Sequence, residues 1–207
     1  MPTPDTLSTD RKVAVLVAPG LEEVEALAVV DVLYRAGVRA DLVAVGDSLE
    51  VTSSHRITFR ADALLSDTDL AAYDLVLLPG GIPGTPNLRA SAAVTKEVRR
   101  RLEAGELLAA ICAAPSIPAE LGLLQGRRAT ANPTFMSVLA EHGAIVSEES
   151  VVVDGNLLTS RGMATATDLG LAIVEHLLGA EAADRVRTAI VYGSRLVLRR
   201  SETAGGL

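Results

Sequence analysis

Cys112, the one cysteine among 207 residues, lies where the apolar run Leu107–Ile111 meets a helix-compatible segment, residues 113–120. A strand-to-helix junction pushes one side chain out at the end of a sheet, and the helix that follows turns free backbone N–H groups toward it. A thiol held there is expected as thiolate, the form that attacks electrophiles. The other reading of a lone cysteine is a small buried hydrophobe. Glu25 is the second candidate. The acidic stretch Glu22, Glu23, Glu25 opens a helix, where carboxylates favour the dipole, and that suffices for Glu22 and Glu23. Glu25 instead shares a helical stripe with Ala28, Val29, Val32 and Ala36. A carboxyl at the top of a buried stripe is desolvated, its pKa rises, and it can pass a proton near neutral pH.

Gly80-Gly81 follows another apolar run. It is either a tight turn or a place where unobstructed backbone N–H groups meet an oxyanion. The glycine spacing fits neither a Walker loop nor a dinucleotide fingerprint. Cys112 has no partner histidine at a recognisable spacing, and Ser116 and Ser160 have no nucleophile context. His55, His142 and His176 are scattered without metal-ligand spacing, so neither a metal nor a cofactor is implied.

The elements that must position these groups are legible as alternating runs. Residues 12–18 read as a buried strand closed by Pro19-Gly20, and residues 22–36 as a helix stopped at Gly37. Residues 39–45 give a second strand, and residues 50–66 an edge excursion. A buried strand over 74–78 leads through prolines to a helix near 90–104, and then to the cysteine strand. Beyond it a helix near 134–142, a strand around 144–147 and a hairpin over 151–159 are expected. Helices over about 165–178 and from about 181 complete the chain. Strands alternating with helices indicate a doubly wound, mostly parallel sheet, where ligands bind beyond the carboxyl ends of the strands. Pro19-Gly20, Gly80-Gly81 and Cys112 all fall on that edge.

Hydrophobic residues make up 49% and aromatics 2%, with no Trp, so the core is built from aliphatic side chains. That suits a sheet covered on both faces. The formal net charge of −7 argues against nucleic acid or anionic membrane as partners. A single cysteine excludes an intrachain disulfide. The polar start lacks a secretion signal, and no apolar run approaches the roughly 20 residues needed to span a bilayer. A cytoplasmic protein is expected.

Four segments resemble, in order and separation, the signatures of the ThiJ/PfpI superfamily, in its parkinsonism-protein and YajL-like branch. They are Val15-Leu-Val-Ala-Pro-Gly-Leu-Glu-Glu-Val-Glu25, Leu77-Leu-Pro-Gly-Gly81, Ala109-Ala-Ile-Cys-Ala-Ala-Pro115 and Leu158-Thr-Ser-Arg-Gly162. The resemblance implies a flavodoxin-like α/β sandwich, a homodimer and a reactive cysteine at the elbow. It also implies Cys112 as nucleophile, with Glu25 as a protonated carboxyl bonded to its sulfur. Gly81 and Ala113 become backbone donors to an oxyanion, and Arg35 a dimer contact. Ala113 stands where peptidase-like relatives carry histidine, which speaks against proteolysis. Asn132 stands where glyoxalase-active relatives often carry histidine; an amide can hydrogen-bond a carbonyl but cannot shuttle a proton. Met163-Ala164 replaces Pro-Gly after Gly162. Gly80, Asn132 and Met163 are therefore expected to line a pocket with a bulkier, more flexible wall.

The combined expectation is one domain over residues 11–199 with disordered tails at 1–10 and 200–207. Its expected activity is that of a cofactor-independent cysteine enzyme on small reactive carbonyls, glyoxalase- or deglycase-like, turning a 2-oxoaldehyde into a 2-hydroxy acid. One alternative is a redox-responsive chaperone or sensor acting through oxidation of Cys112. Another is a hydratase or lyase of a different small electrophile. The expected partners are a small electrophile and a second copy of the chain.

Overall fold

The computed structural model describes residues 7–193. Most of the expected tails, and residues 194–199 of the expected domain, lie outside the described residues. Within the first tail, Ser8 N–H donates to Gly37 O at 3.2 Å.

Among the described residues the strands are β1 (Lys12–Val17), β2 (Arg39–Ala44), β3 (Glu50–Thr52), β4 (Thr58–Arg60), β5 (Ala63–Leu64) and β6 (Leu75–Leu78). They continue with β7 (Leu107–Ile111), β8 (Arg128–Ala129), β9 (Ile145–Val146), β10 (Val151–Asp154) and β11 (Leu157–Ser160). Seven of them form one sheet in the order β10-β11-β7-β6-β1-β2-β5. Every neighbouring pair is parallel except the β10–β11 hairpin. The period of two along each strand sorts its side chains between two cores. Val13, Val15, Leu75, Leu77, Ala109 and Ile111 enter one, and Ala14, Leu16, Val76, Leu78, Leu108 and Ala110 the other.

The helices are α1 (Glu23–Arg35), α2 (Gly84–Ala90), α3 (Ala92–Ala104), α4 (Ser116–Glu120), α5 (Met136–Glu141), α6 (Ala166–Leu178) and α7 (Ala180–Ala189). The first core packs under α1, α6 and α7 through Val29, Val32, Leu169, Ile173 and Val186. The second packs under α2 to α5 through Leu88, Val94, Val98, Ile117 and Leu139. The chain is thus a doubly wound α/β sandwich with a mostly parallel sheet.

Four local expectations change in detail. The helix expected near 90–104 is α3, but the proline-containing stretch before it holds a further helix, α2. Ser91 leaves helical geometry between them, and its hydroxyl caps α3 at Val94 N–H. The edge excursion over 50–66 is a β3–β4 hairpin outside the main sheet, followed by β5, which joins the sheet beside β2. The short β9 pairs with β8 in a sheet of their own. The segment after Cys112 stays in a turn through Pro115, and α4 begins only at Ser116. Pro115 at the cap and Pro118 in the first turn are tolerated only where a helix has no N–H bond to lose. The two prolines therefore set the start of this helix, four residues later than Cys112.

Candidate active site

The strand order brings separate sequence segments together. Strands β11, β7, β6 and β1 are adjacent and parallel, so their carboxyl ends open on the same edge. The order also reverses between β1 and β6, since the chain builds outward from that pair in both directions, and such a switch point leaves a crevice. The turns that leave these four strands hold Pro19-Gly20, Gly80-Gly81, Cys112 and Gly162.

Cys112 is half-buried and has φ +65, a left-handed conformation that a residue with a β-carbon rarely adopts. Its neighbours hold it there: Cys112 N–H donates to Ser160 O at 2.9 Å, and Asn132 N–H donates to Cys112 O at 2.9 Å. Strain at such an elbow persists when the surroundings over-determine it. The result presents the thiol at the sheet edge.

Glu25 sits in the first turn of α1 and is 1% exposed. Its Oε2 accepts Gly80 N–H at 2.9 Å, and the carboxyl is hydrogen-bonded to Cys112. Burial is the main cause that raises its pKa to about 7; the bonds to Cys112 and Gly80 oppose the rise, and the charge of Glu22 adds to it. Gly80 is glycine because of this contact. A β-carbon there would lie 2.6 Å from both Cys112 Cβ and Glu25 Oε2. Gly81 has φ +92, and a β-carbon there would lie 2.2 Å from Glu22 N.

The thiol departs from the sequence expectation. Burial first, then the charge of Glu25 and the hydrogen bond to it, push Cys112 up to about 12, against the backbone N–H groups of Gly81 and Ala113. The helix N-terminus invoked to hold a thiolate is not at Cys112, for the proline reason given above. Two of the three raising causes come from Glu25, and both depend on its being ionised. With Glu25 protonated, its O–H donates to sulfur and favours thiolate instead. The geometry pairs the Glu25 carboxyl with the Cys112 sulfur, with the backbone N–H groups of Gly81 and Ala113 facing that sulfur.

Asn132 and Gly162 close the other side. A β-carbon on Gly162 would lie 3.7 Å from Asn132 Nδ2, 3.9 Å from Glu25 Oε1 and 4.0 Å from Cys112 Sγ. Asn132 Oδ1 accepts Thr134 N–H at 3.1 Å, which leaves the amide NH2 as the group offered to the site. The profile of the DJ-1/PfpI family matches residues 11–176. The chain belongs to the DJ-1/PfpI family.

Protein DJ-1 homolog B of Arabidopsis thaliana is 41% identical over 171 residues, which are 82% of this chain and 39% of that protein. The chain spans less than half the length of the Arabidopsis relatives that it matches. A Caenorhabditis elegans relative named glutathione-independent glyoxalase DJR-1.2 is 29% identical over 177 residues, 84% of this chain and 93% of that one. The crystal structure of Drosophila melanogaster DJ-1beta superposes with a TM-score of 0.85 at 33% identity, covering 90% of this chain and all of that one. These neighbours make the sandwich described above the flavodoxin-like fold of the family.

The DJ-1/PfpI fold thus gathers Cys112, Glu25, Gly80, Gly81, Ala113 and Asn132 at one edge. Gly80 N–H is given to Glu25 rather than to a pocket. Met163 follows Gly162 and is 55% exposed. Arg35 is elsewhere, ten residues or roughly 15 Å along α1 from Glu25. It pairs with Asp31 at 2.6 Å and lines a cavity of about 470 Å³ with Ser8, Gly37, Ala182, Arg185 and Val186.

Sequence reasoning missed His55. The β3–β4 turn lays it over the start of α1, with Nδ1 3.1 Å from Glu23 Oε2 and 3.5 Å from Glu22 Oε2. The hydrogen bond to Glu23, then the charges of Glu22 and Glu23, raise the pKa of His55. Burial pushes Glu23 up, but its own backbone N–H and bonds from His55 and Ser53 outweigh it and hold it low. His55 and Glu23 stand 32 positions apart in sequence, so no local pattern announces them.

Proposed function

We propose that this protein is a cofactor-independent cysteine enzyme of the cytoplasm that converts small 2-oxoaldehydes to 2-hydroxy acids, and that it acts as a homodimer. The observation that carries this reading is the buried Glu25 carboxyl, bonded to the Cys112 thiol and raised to about 7. The Caenorhabditis elegans relative named a glyoxalase supports the reaction class. Two partly exposed apolar residues on the outer side of α1, Val24 and Leu27, support the dimer.

In this reading Cys112 thiolate adds to the aldehyde carbon of methylglyoxal and forms a hemithioacetal. The N–H groups of Gly81 and Ala113 stabilise the oxyanion that develops beside sulfur. That oxyanion takes the Glu25 proton. Glu25, now a carboxylate, removes the proton from the former aldehyde carbon and returns it to the neighbouring ketone carbon, while the hydroxyl proton passes from the first oxygen to the second. The first carbon is oxidised to a thioester and the second reduced to an alcohol, so no external oxidant or reductant is needed. The Asn132 NH2 holds the ketone oxygen while the enediol forms. Water cleaves the thioester, releases lactate and regenerates the thiol.

The test is proton NMR of purified protein with methylglyoxal and no glutathione, beside Cys112→Ser. Lactate at many equivalents per site from the native protein, and none from the variant, is expected. A native protein that yields no lactate with its thiol intact would overturn the reading. Peroxide-dependent chaperone activity would then favour the redox role.

A further inference from the structure

Ser160 is fully buried, and its hydroxyl oxygen lies 2.8 Å from Ser150 O, 2.7 Å from Thr165 Oγ1 and 3.3 Å from Thr165 O. Thr165 Oγ1 lies 3.1 Å from Gly162 N and 2.9 Å from Gly162 O. Each hydroxyl has one proton to give and can also accept, whereas an N–H only donates and a carbonyl only accepts. Gly162 N–H can only donate, so Thr165 Oγ1 accepts it. Ser150 O can only accept, and it is the nearer of the two carbonyls within reach of the Ser160 hydroxyl. The Thr165 hydroxyl meets Ser160 Oγ, where either oxygen can donate, and it also reaches Gly162 O, which accepts Thr165 N–H at 2.8 Å as well. A hydrogen-bonded chain links Gly162 through Thr165 and Ser160 to Ser150.

What hangs from the chain is the wall of the site. Gly162 faces Cys112 Sγ, Glu25 Oε1 and Asn132 Nδ2 at the distances given above. Ser160 also accepts Cys112 N–H through its carbonyl at 2.9 Å. One residue therefore grips the nucleophile through its backbone and the facing loop through its hydroxyl, and Thr165 links that hydroxyl to Gly162.

We infer that Thr165 is a positioning residue, whose hydroxyl fixes the Gly162 loop as the wall that orients a substrate on Cys112. This inference rests on the carbonyl chemistry proposed above, but its geometry can also be read on the thiol alone. Thr165→Val keeps the shape and removes both the acceptor and the proton, whereas Thr165→Ser keeps them.

The experiment measures two quantities in native protein and both variants. One is the ratio of Cys112 modification rates by bulky pyrenyl maleimide and by small iodoacetamide. The other is the pair kcat and KM with methylglyoxal. A misplaced reacting centre loses up to about a hundredfold in rate, so Thr165→Val is expected to lose roughly ten- to a hundredfold in kcat at nearly constant KM. Its reagent ratio rises as the wall loosens, while Thr165→Ser stays close to native in both readouts. An unchanged ratio in Thr165→Val, or a Thr165→Ser variant as altered as Thr165→Val, would overturn the assignment. If the native protein does not turn over methylglyoxal, that failure belongs to the carbonyl reading, and the reagent ratio still decides the positioning role.

Discussion

A carboxyl that keeps its proton to about pH 7 leaves a trace in stability as well as in chemistry. The folded state binds that proton more tightly than the unfolded chain, where Glu25 has its ordinary 4.5. The contribution is complete below about pH 4.5 and is lost as pH rises through 7, because ionising the buried group becomes a cost of folding. The gap corresponds to about 3 kcal/mol at most. Glu25→Gln lacks this dependence. Urea denaturation should therefore show the variant gaining on native protein between pH 5 and pH 8, by up to about that amount. Parallel stability curves would contradict the assigned burial. Glu25 was legible in the sequence because a helical stripe is a local pattern. The pKa of Cys112 was not, since the charge that raises it comes from another element and only the fold fixes their separation.

At the scale of elements, the site depends on contacts at the far end of the sheet. Arg101 on α3 is 0% exposed and pairs with Glu97 at 2.8 Å. It also donates to Leu70 O at 2.6 Å, Tyr73 O at 2.8 Å and Leu107 O at 3.1 Å. Those carbonyls lie just before β6 and at the start of β7, the strands whose other ends carry Gly80 and Cys112. Removing the guanidinium leaves those three carbonyls without their donor in a dry place, although Glu97 keeps its pair with Arg100 at 2.7 Å. Arg101→Met should therefore destabilise the fold by about 3–5 kcal/mol, measured by chemical denaturation. A loss under about 1 kcal/mol would show that water or neighbours replace the guanidinium. The strands and most helices were readable because burial periodicity and terminating glycines are local. Arg101 was not, because within its helix it reads as one more exposed charge. The start of α4 was readable in principle from Pro115 and Pro118, whose ring geometry outranks the apolar pattern around them.

At the scale of the molecule, the parallel sheet explains why residues nearly 140 positions apart meet: four strand ends share an edge, and only strand order decides which. That order was not available from the sequence pattern, although the alternation of strands and helices indicated the doubly wound class. The proposed homodimer makes a separate claim about the outer surface. A charge at the centre of an apolar contact is strongly disfavoured, so Leu27→Glu should convert a dimer to a monomer in sedimentation velocity. Its Cys112 modification rate by iodoacetamide should stay close to native. An identical sedimentation coefficient for native protein and variant would remove the outer side of α1 from the interface.

The central claim is that Glu25 moves the proton for chemistry on Cys112. The most direct measurement is kcat for methylglyoxal in Glu25→Gln, with circular dichroism to confirm the native fold. The account predicts a loss of roughly a hundredfold or more, the usual scale for removing a general acid–base. Turnover within a few-fold of native in that folded variant would contradict it.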